Sequence, residues 1–225
     1  MYASWPCPTP TGGMGEEMAL ALDGKRSTRL LVIPPFFEEA NKFRHQILEI
    51  IIRLNERGID SICPDFPGCN ESLAPHSAQS LVGWRIAAMA AANHFSATHV
   101  LAIRSGCWIA PSSLPGWLYA PPKPGQVLRA MLRARILAER EAGQQESAET
   151  LLEKGRKKGL EIAGWELGST LIDELEATEF SAGDLHSVVD HSEIGGKALW
   201  LRAENDFDTE QAEALAHLIA TGISS

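Results

Sequence analysis

Three short apolar runs, each followed by a helical pattern or a polar loop, constrain this chain more than any other feature. Arg29 to Ile33, Ile59 to Cys63 and Thr98 to Ile103 have strand length and buried-strand composition. Between the first two, Asn41 to Arg57 repeats Phe43, Ile47, Ile50, Ile51 and Leu54 at helical spacing, and Gly58 closes it as a C′ residue. Between the second and third lies an alanine-rich helix, Ser80 to Phe95. Strand, helix, strand, helix, strand with short connections predicts an α/β protein with a doubly wound, mostly parallel sheet. In such sheets ligand sites form at the C-terminal ends of strands, so loops 34–44, 64–72 and 104–108 matter most.

The rest of the chain is read around that frame. The first 28 residues, rich in Pro, Gly and Ser/Thr, are expected to run over the surface, with Met18 to Leu22 as a possible short strand. Trp117 to Ala120 reads as a fourth strand, Lys197 to Arg202 as a late strand, and Thr209 to Thr221 as the last helix. From about 124 to 182 the text turns helical and charged, which reads as a cap-like insertion with a helix break at Gly155 and Gly159. One domain over residues 1–225 accommodates all of this. A formal charge of −9 argues against nucleic acid as a partner. Without a signal-peptide pattern or a long apolar run, a cytoplasmic protein with no membrane insertion is expected. The four cysteines lack metal-ligand spacing, so reduced thiols, no metal and no cofactor are expected.

The stretch "LAIRSGCW", residues 101–108, is the chemical question. A strand running into a small-residue turn and a helix is where the elbow G-x-S-x-G holds a nucleophilic serine. Here Arg104 stands at the centre and Ser105 one residue late. A permanently protonated guanidinium cannot attack a carbonyl.

Four stretches, "LLVIPPFFEEANKFRHQ", "PDFPGCNES", "WLYAPPKPGQVLRAMLRARI" and "EIAGWELGSTL", together resemble the α/β-hydrolase-fold proteins called exosortase A system-associated hydrolase 2. The resemblance spans about residues 29–202. It implies a reduced α/β-hydrolase sheet and a bacterial setting near exopolysaccharide synthesis and protein sorting. It also implies that arginine at the elbow centre is a family trait, since the family's elbow reads G-L-R-L-G. The chain departs from the pattern at Asn70, which replaces a loop glycine, and at "APPKPG".

A serine hydrolase needs a nucleophile, an activating histidine and an orienting acid. Ser105 and Asp206 are the candidate catalytic residues, with Glu204 and Asp208 beside Asp206 in "LRAENDFD". These carboxylates serve equally as helix-capping groups. Only His217 follows them, in mid-helix, while His186 and His191 precede them. No triad is recognisable. The densest polar cluster is Glu38, Glu39, Asn41, Lys42 and Arg44, with Asp65 and Arg104 from neighbouring strand ends. Arg104 must find a carboxylate, Glu38 or Glu39, or bind an anion. With Lys42 it could recognise a carboxylate, phosphate or acidic sugar.

Three functions stay open: binding of a small anionic or carbohydrate-derived ligand, a divergent hydrolase, esterase or acyltransferase, and a non-catalytic scaffold in exopolysaccharide biosynthesis. The insertion's basic residues and apolar face leave room for an acidic partner or a homodimer.

Overall fold

The computed structural model describes residues 1–141, 146–202 and 206–224. Its core is a seven-stranded sheet in the order β1-β2-β4-β3-β5-β6-β9. The three leading apolar runs become β3 (Arg29–Ile33), β4 (Asp60–Pro64) and β5 (His99–Ile103). Parallel pairing continues through β6 (Gly116–Tyr119) to β9 (His186–Val189). Helix α1 (Glu38–Glu56) packs with the last helix, α7 (Thr209–Ile223), on one face. There Phe43, Ile47, Ile50, Ile51 and Leu54, the residues at helical spacing, are all buried. Helix α2 (Leu81–His94) lies on the other face, its Ala87, Ala88 and Ala91 allowing a close approach. Short parallel strands buried on both faces explain why these runs are continuously apolar rather than alternating.

The N-terminus corrects the expectation of a surface tail. Tyr2–Pro8 (β1) and Met14–Leu22 (β2) form an antiparallel hairpin, and β2 pairs antiparallel with β4. Prolines at 6 and 8 disguise β1 in the sequence, but it is an edge strand, where a missing N–H is tolerated. Alternation turns Trp5 and Cys7 of β1 and Glu17, Ala19 and Ala21 of β2 inward.

The late strand is also corrected. Lys197 to Arg202 contains a turn of 3-10 helix at Leu199–Leu201, and the strand beside β6 is His186–Val189. Leu199 is buried while Leu201 is 79% exposed, so the apolar run never forms a sheet face. β9 escaped notice because it is four residues long, at a sheet edge, and mostly accessible.

Residues 124–182 form α3 (Pro124–Glu141), α4 (Ala148–Lys158), a hairpin of β7 (Leu160–Ile162) and β8 (Trp165–Leu167), and α5 (Ser169–Ala177). The helix break falls at Gly159 alone, whose φ of +77° ends α4. Gly155 lies within α4, where a Cβ would stand 2.7 Å from Ile172 Cδ1 of α5. It is a contact glycine, not a breaker. A four-residue helix, α6 (His191–Ile194), follows β9.

Candidate functional site

The turn after β5 keeps the shape of a nucleophile elbow. Arg104 has φ +53°, a left-handed conformation that costs an ordinary residue about 1 kcal/mol or more. Gly106 is required by close approach: a Cβ there would lie 2.5 Å from the Pro34 carbonyl oxygen and 2.7 Å from that of Ile33. Phe37 after β3 and Ala120 after β6 also have positive φ, at +60° and +48°. The connections leaving three adjacent strands thus each carry a strained residue, Arg104 and Ala120 directly after β5 and β6 and Phe37 at the N-cap of α1, a pattern found where sites are built.

Arg104 occupies the apex with its charge fully met. Its Nε donates to Glu39 Oε2 at 2.9 Å and its Nη2 to Glu39 Oε1 at 3.0 Å, a bidentate pair. Nη1 donates to the Ala120 carbonyl at 2.6 Å. The guanidinium also lies 3.9 Å from the centroid of the Trp200 ring, a cation–π contact. Trp200 is wedged in turn by His191, with ring centroids 5.0 Å apart, and by Phe43. Sequence reasoning named Glu39 as one of two partners but missed Trp200, the Ala120 carbonyl and the supporting aromatics.

Ser105 is 2% exposed, and its Oγ accepts the Phe36 N–H at 2.8 Å. Among the described residues no histidine bonds to it. The turn-facing N–H of Phe36 is therefore used to hold the hydroxyl in place. Asp206 lies elsewhere: its carboxylate is exposed, 3.5 Å from Arg202 Nη1, and accepts the Phe207 N–H. Asp208 caps α7 through the Gln211 N–H and pairs with Arg202. Glu204 falls outside the described residues. His217 is on the exposed side of α7. Directly after β9 come Asp190 and His191; the sequence reading, which takes Lys197 to Arg202 as the late strand, sets His191 ahead of it and does not consider Asp190. Asp190 is spent in a capping box with Glu193. His191 Nε2 faces the Gly196 carbonyl at 3.3 Å and so carries the proton. Its Nδ1 consequently accepts the Tyr119 hydroxyl proton at 2.7 Å. Burial pushes Tyr119 up to about 12, so that hydroxyl remains a donor.

The polar cluster at the start of α1 divides three ways. Glu39 joins Arg104, while Glu38 pairs with Lys42 at 2.7 Å, whose Nζ also reaches the Trp200 carbonyl at 3.5 Å. Asn41 is exposed. Arg44 turns to the loop after β4, where it meets Glu71 at 3.3 Å. Asp65 in that loop accepts from Asn70 Nδ2 at 2.8 Å, and burial raises its pKa. So Arg44 and Asp65 share a side of the molecule with each other and not with the Arg104 pair.

Between the elbow and the insertion lies a cavity of about 300 Å³. Arg104, Ser105, Glu38 and Glu39 form its polar part, and Phe36, Phe37, Val127, Met131 and Trp165 supply most of the apolar wall. Phe37 and Trp165 meet edge to face at 5.9 Å. Helix α3 and the β7–β8 hairpin thereby act as a roof. Among the described residues no His/Cys/Asp/Glu group is arranged to hold a metal ion, and no helix is long and apolar enough to cross a membrane.

No protein-family model and no curated protein matches the sequence. Solved structures do match the fold. Est1E from Butyrivibrio proteoclasticus with bound ferulic acid superposes with a TM-score of 0.57 at 12% identity, over 92% of this chain and 95% of Est1E. A second Est1E structure gives 0.52 at 11% identity, over 93% of each chain. With its parallel sheet, flanking helices and strained elbow, the chain has the α/β-hydrolase fold.

Proposed function

We propose that this protein binds a small ligand beneath its helical roof and does not hydrolyse it. The single observation that carries this reading is Arg104 at the elbow apex, locked by Glu39, Ala120 and Trp200. No attacking oxygen stands at that position. Ser105 beside it is held by Phe36 and lacks an imidazole among the described residues. Breaking a bond in an acyl substrate needs both.

The cavity itself is a binding site in ordinary terms: concave, mainly apolar and floored by a few polar groups. Three of the five guanidinium N–H groups of Arg104 are used, leaving one on each Nη, and the Ser105 hydroxyl has its proton free to donate. These donors suit an acceptor at the end of an apolar body. The sequence suggested an anionic ligand. Glu39 already neutralises Arg104, however, which favours an uncharged carbonyl or ester over a free carboxylate. The resemblance to exosortase-associated proteins favours a ligand connected with exopolysaccharide synthesis.

A pair of probes tests the reading. Ferulic acid, which is bound in the Est1E structure, and its methyl ester share one aromatic body and differ at the head group, charged in the acid and neutral in the ester. The ester should raise Tm saturably and more than the acid, without release of ferulate on long incubation. A fluorophosphonate should leave Ser105 unlabelled. Turnover of the ester, or stoichiometric labelling of Ser105, overturns the proposal.

A further inference from the structure

We propose that a second cavity, between the N-terminal hairpin and the loop after β4, is a binding site for a small organic ammonium ion anchored by Glu17. The cavity is about 350 Å³ and shares no lining residue with the one beneath the roof. Cys7, Pro67 and Pro75 give it apolar walls, and the exposed Glu16 adds a second carboxylate.

Glu17 is the unusual group. It sits on β2 directly across from Trp5, and strand alternation turns it inward, where it is 7% exposed. Its Oε1 accepts the Ser72 hydroxyl at 2.8 Å. That hydroxyl oxygen is itself held by the N–H groups of Gly68 and Ala74 at 2.9 and 3.1 Å, so its proton can only point to the carboxylate. The arrangement fixes the carboxyl in place and offers it one donor. Among the described residues no lysine, arginine or histidine comes within ion-pair distance of it. Burial, and the nearby Asp65, accordingly push its pKa up.

A buried carboxylate without a cation is costly, and a fixed one on the wall of a cavity with apolar sides favours a cationic occupant. A primary ammonium supplies the charge and three donors, and its hydrocarbon end covers the proline walls. An alcohol of the same shape supplies a donor without the charge. An anion meets two carboxylates and is repelled.

The test uses the full chain with benzylammonium and butylammonium against benzyl alcohol and butanol, followed by NMR titration at about pH 7.5, where the amines are charged. The ammonium ions should bind saturably, and about tenfold more tightly than the alcohols, as expected for a charge-assisted hydrogen bond. Glu17→Gln should abolish that preference while leaving ester binding beneath the roof unchanged. In the unmodified protein, affinity should fall on acidification as Glu17 takes up a proton, a readout that does not depend on the variant folding. The proposal is overturned if neither ammonium saturates, if the alcohols bind equally well, if Glu17→Gln keeps the preference, or if affinity is flat with pH.

Discussion

The two cavities treat buried charge in opposite ways. Beneath the roof, Arg104 meets a bidentate carboxylate, a carbonyl and an aromatic face, all supplied by the protein. Beside the hairpin, Glu17 meets one hydroxyl and an open space. A charge that is satisfied from within is architecture, and it leaves a neutral floor for whatever enters. A charge satisfied from without is a demand on the surroundings. The same chain therefore has a site shaped like a catalytic centre whose charge is silent, and an unremarked pocket whose charge is not.

The largest expected effect breaks the satisfied side. Glu39→Leu strands Arg104 and should cost about 3 kcal/mol in urea unfolding, the lower end for a broken buried pair because Glu39 keeps some exposure. Replacing both, Arg104→Met with Glu39→Leu, should cost much less. Equal losses for the single and double variants would mean that the pair does not hold the turn.

Glycine substitutions compare the stiffness of the two walls. Gly106→Ala drives a methyl into the Pro34 and Ile33 carbonyls, which cannot swing away, and should cost about 2 kcal/mol. Glu17→Gln comes next and has the opposite sign: about 1 kcal/mol of stabilisation at neutral pH and above, from removing a poorly paired buried charge. The folded-state pKa of Glu17 lies above its ordinary value of 4.5, so the folded state holds the proton longer than the unfolded chain. Its contribution to stability is thus complete below that ordinary value and is lost as pH rises through the raised one. The gain from Glu17→Gln should shrink to nothing on acidification, and urea midpoints at two pH values would show it. Gly15→Ala, on the lining of the hairpin cavity, should be nearly neutral, since its Cβ would meet the Thr9 methyl at 3.4 Å and the Cys7 carbonyl oxygen at 3.8 Å, both ordinary contacts. A large loss there would make this wall as rigid as the elbow.

How far the sequence could be read follows from the range of each interaction. The frame from Arg29 to Ile103 was legible because strand runs and the i, i+3, i+4 pattern of α1 are local signals. Of the N-terminal hairpin, Met18 to Leu22 was legible as part of β2, but β1 was not, because Pro6 and Pro8 argue against a strand unless it is known to be an edge. β9 and Lys197–Arg202 were exchanged for a related reason. The run with the stronger apolar character, Leu199 to Leu201, packs Leu199 inward and sends Trp200 to Arg104, while the plainer His186–Val189 takes the sheet edge. At the site, the elbow and its misplaced serine could be seen in eight residues. The separation of Arg44 and Asp65 from Arg104 could not, since a helix start scatters neighbouring side chains around its axis.

The order of residues alone determined a parallel α/β frame and an arginine at the apex of its elbow, because periodicity and turn composition act over a few positions. Only the tertiary structure decided what each charge would meet. Glu39 lies 65 residues from Arg104 and the Ala120 carbonyl 16, and Ser72 lies 55 from Glu17. Partners that far apart along the chain are chosen by how strands and helices pack, so whether a buried charge is answered or left open is a property of the fold.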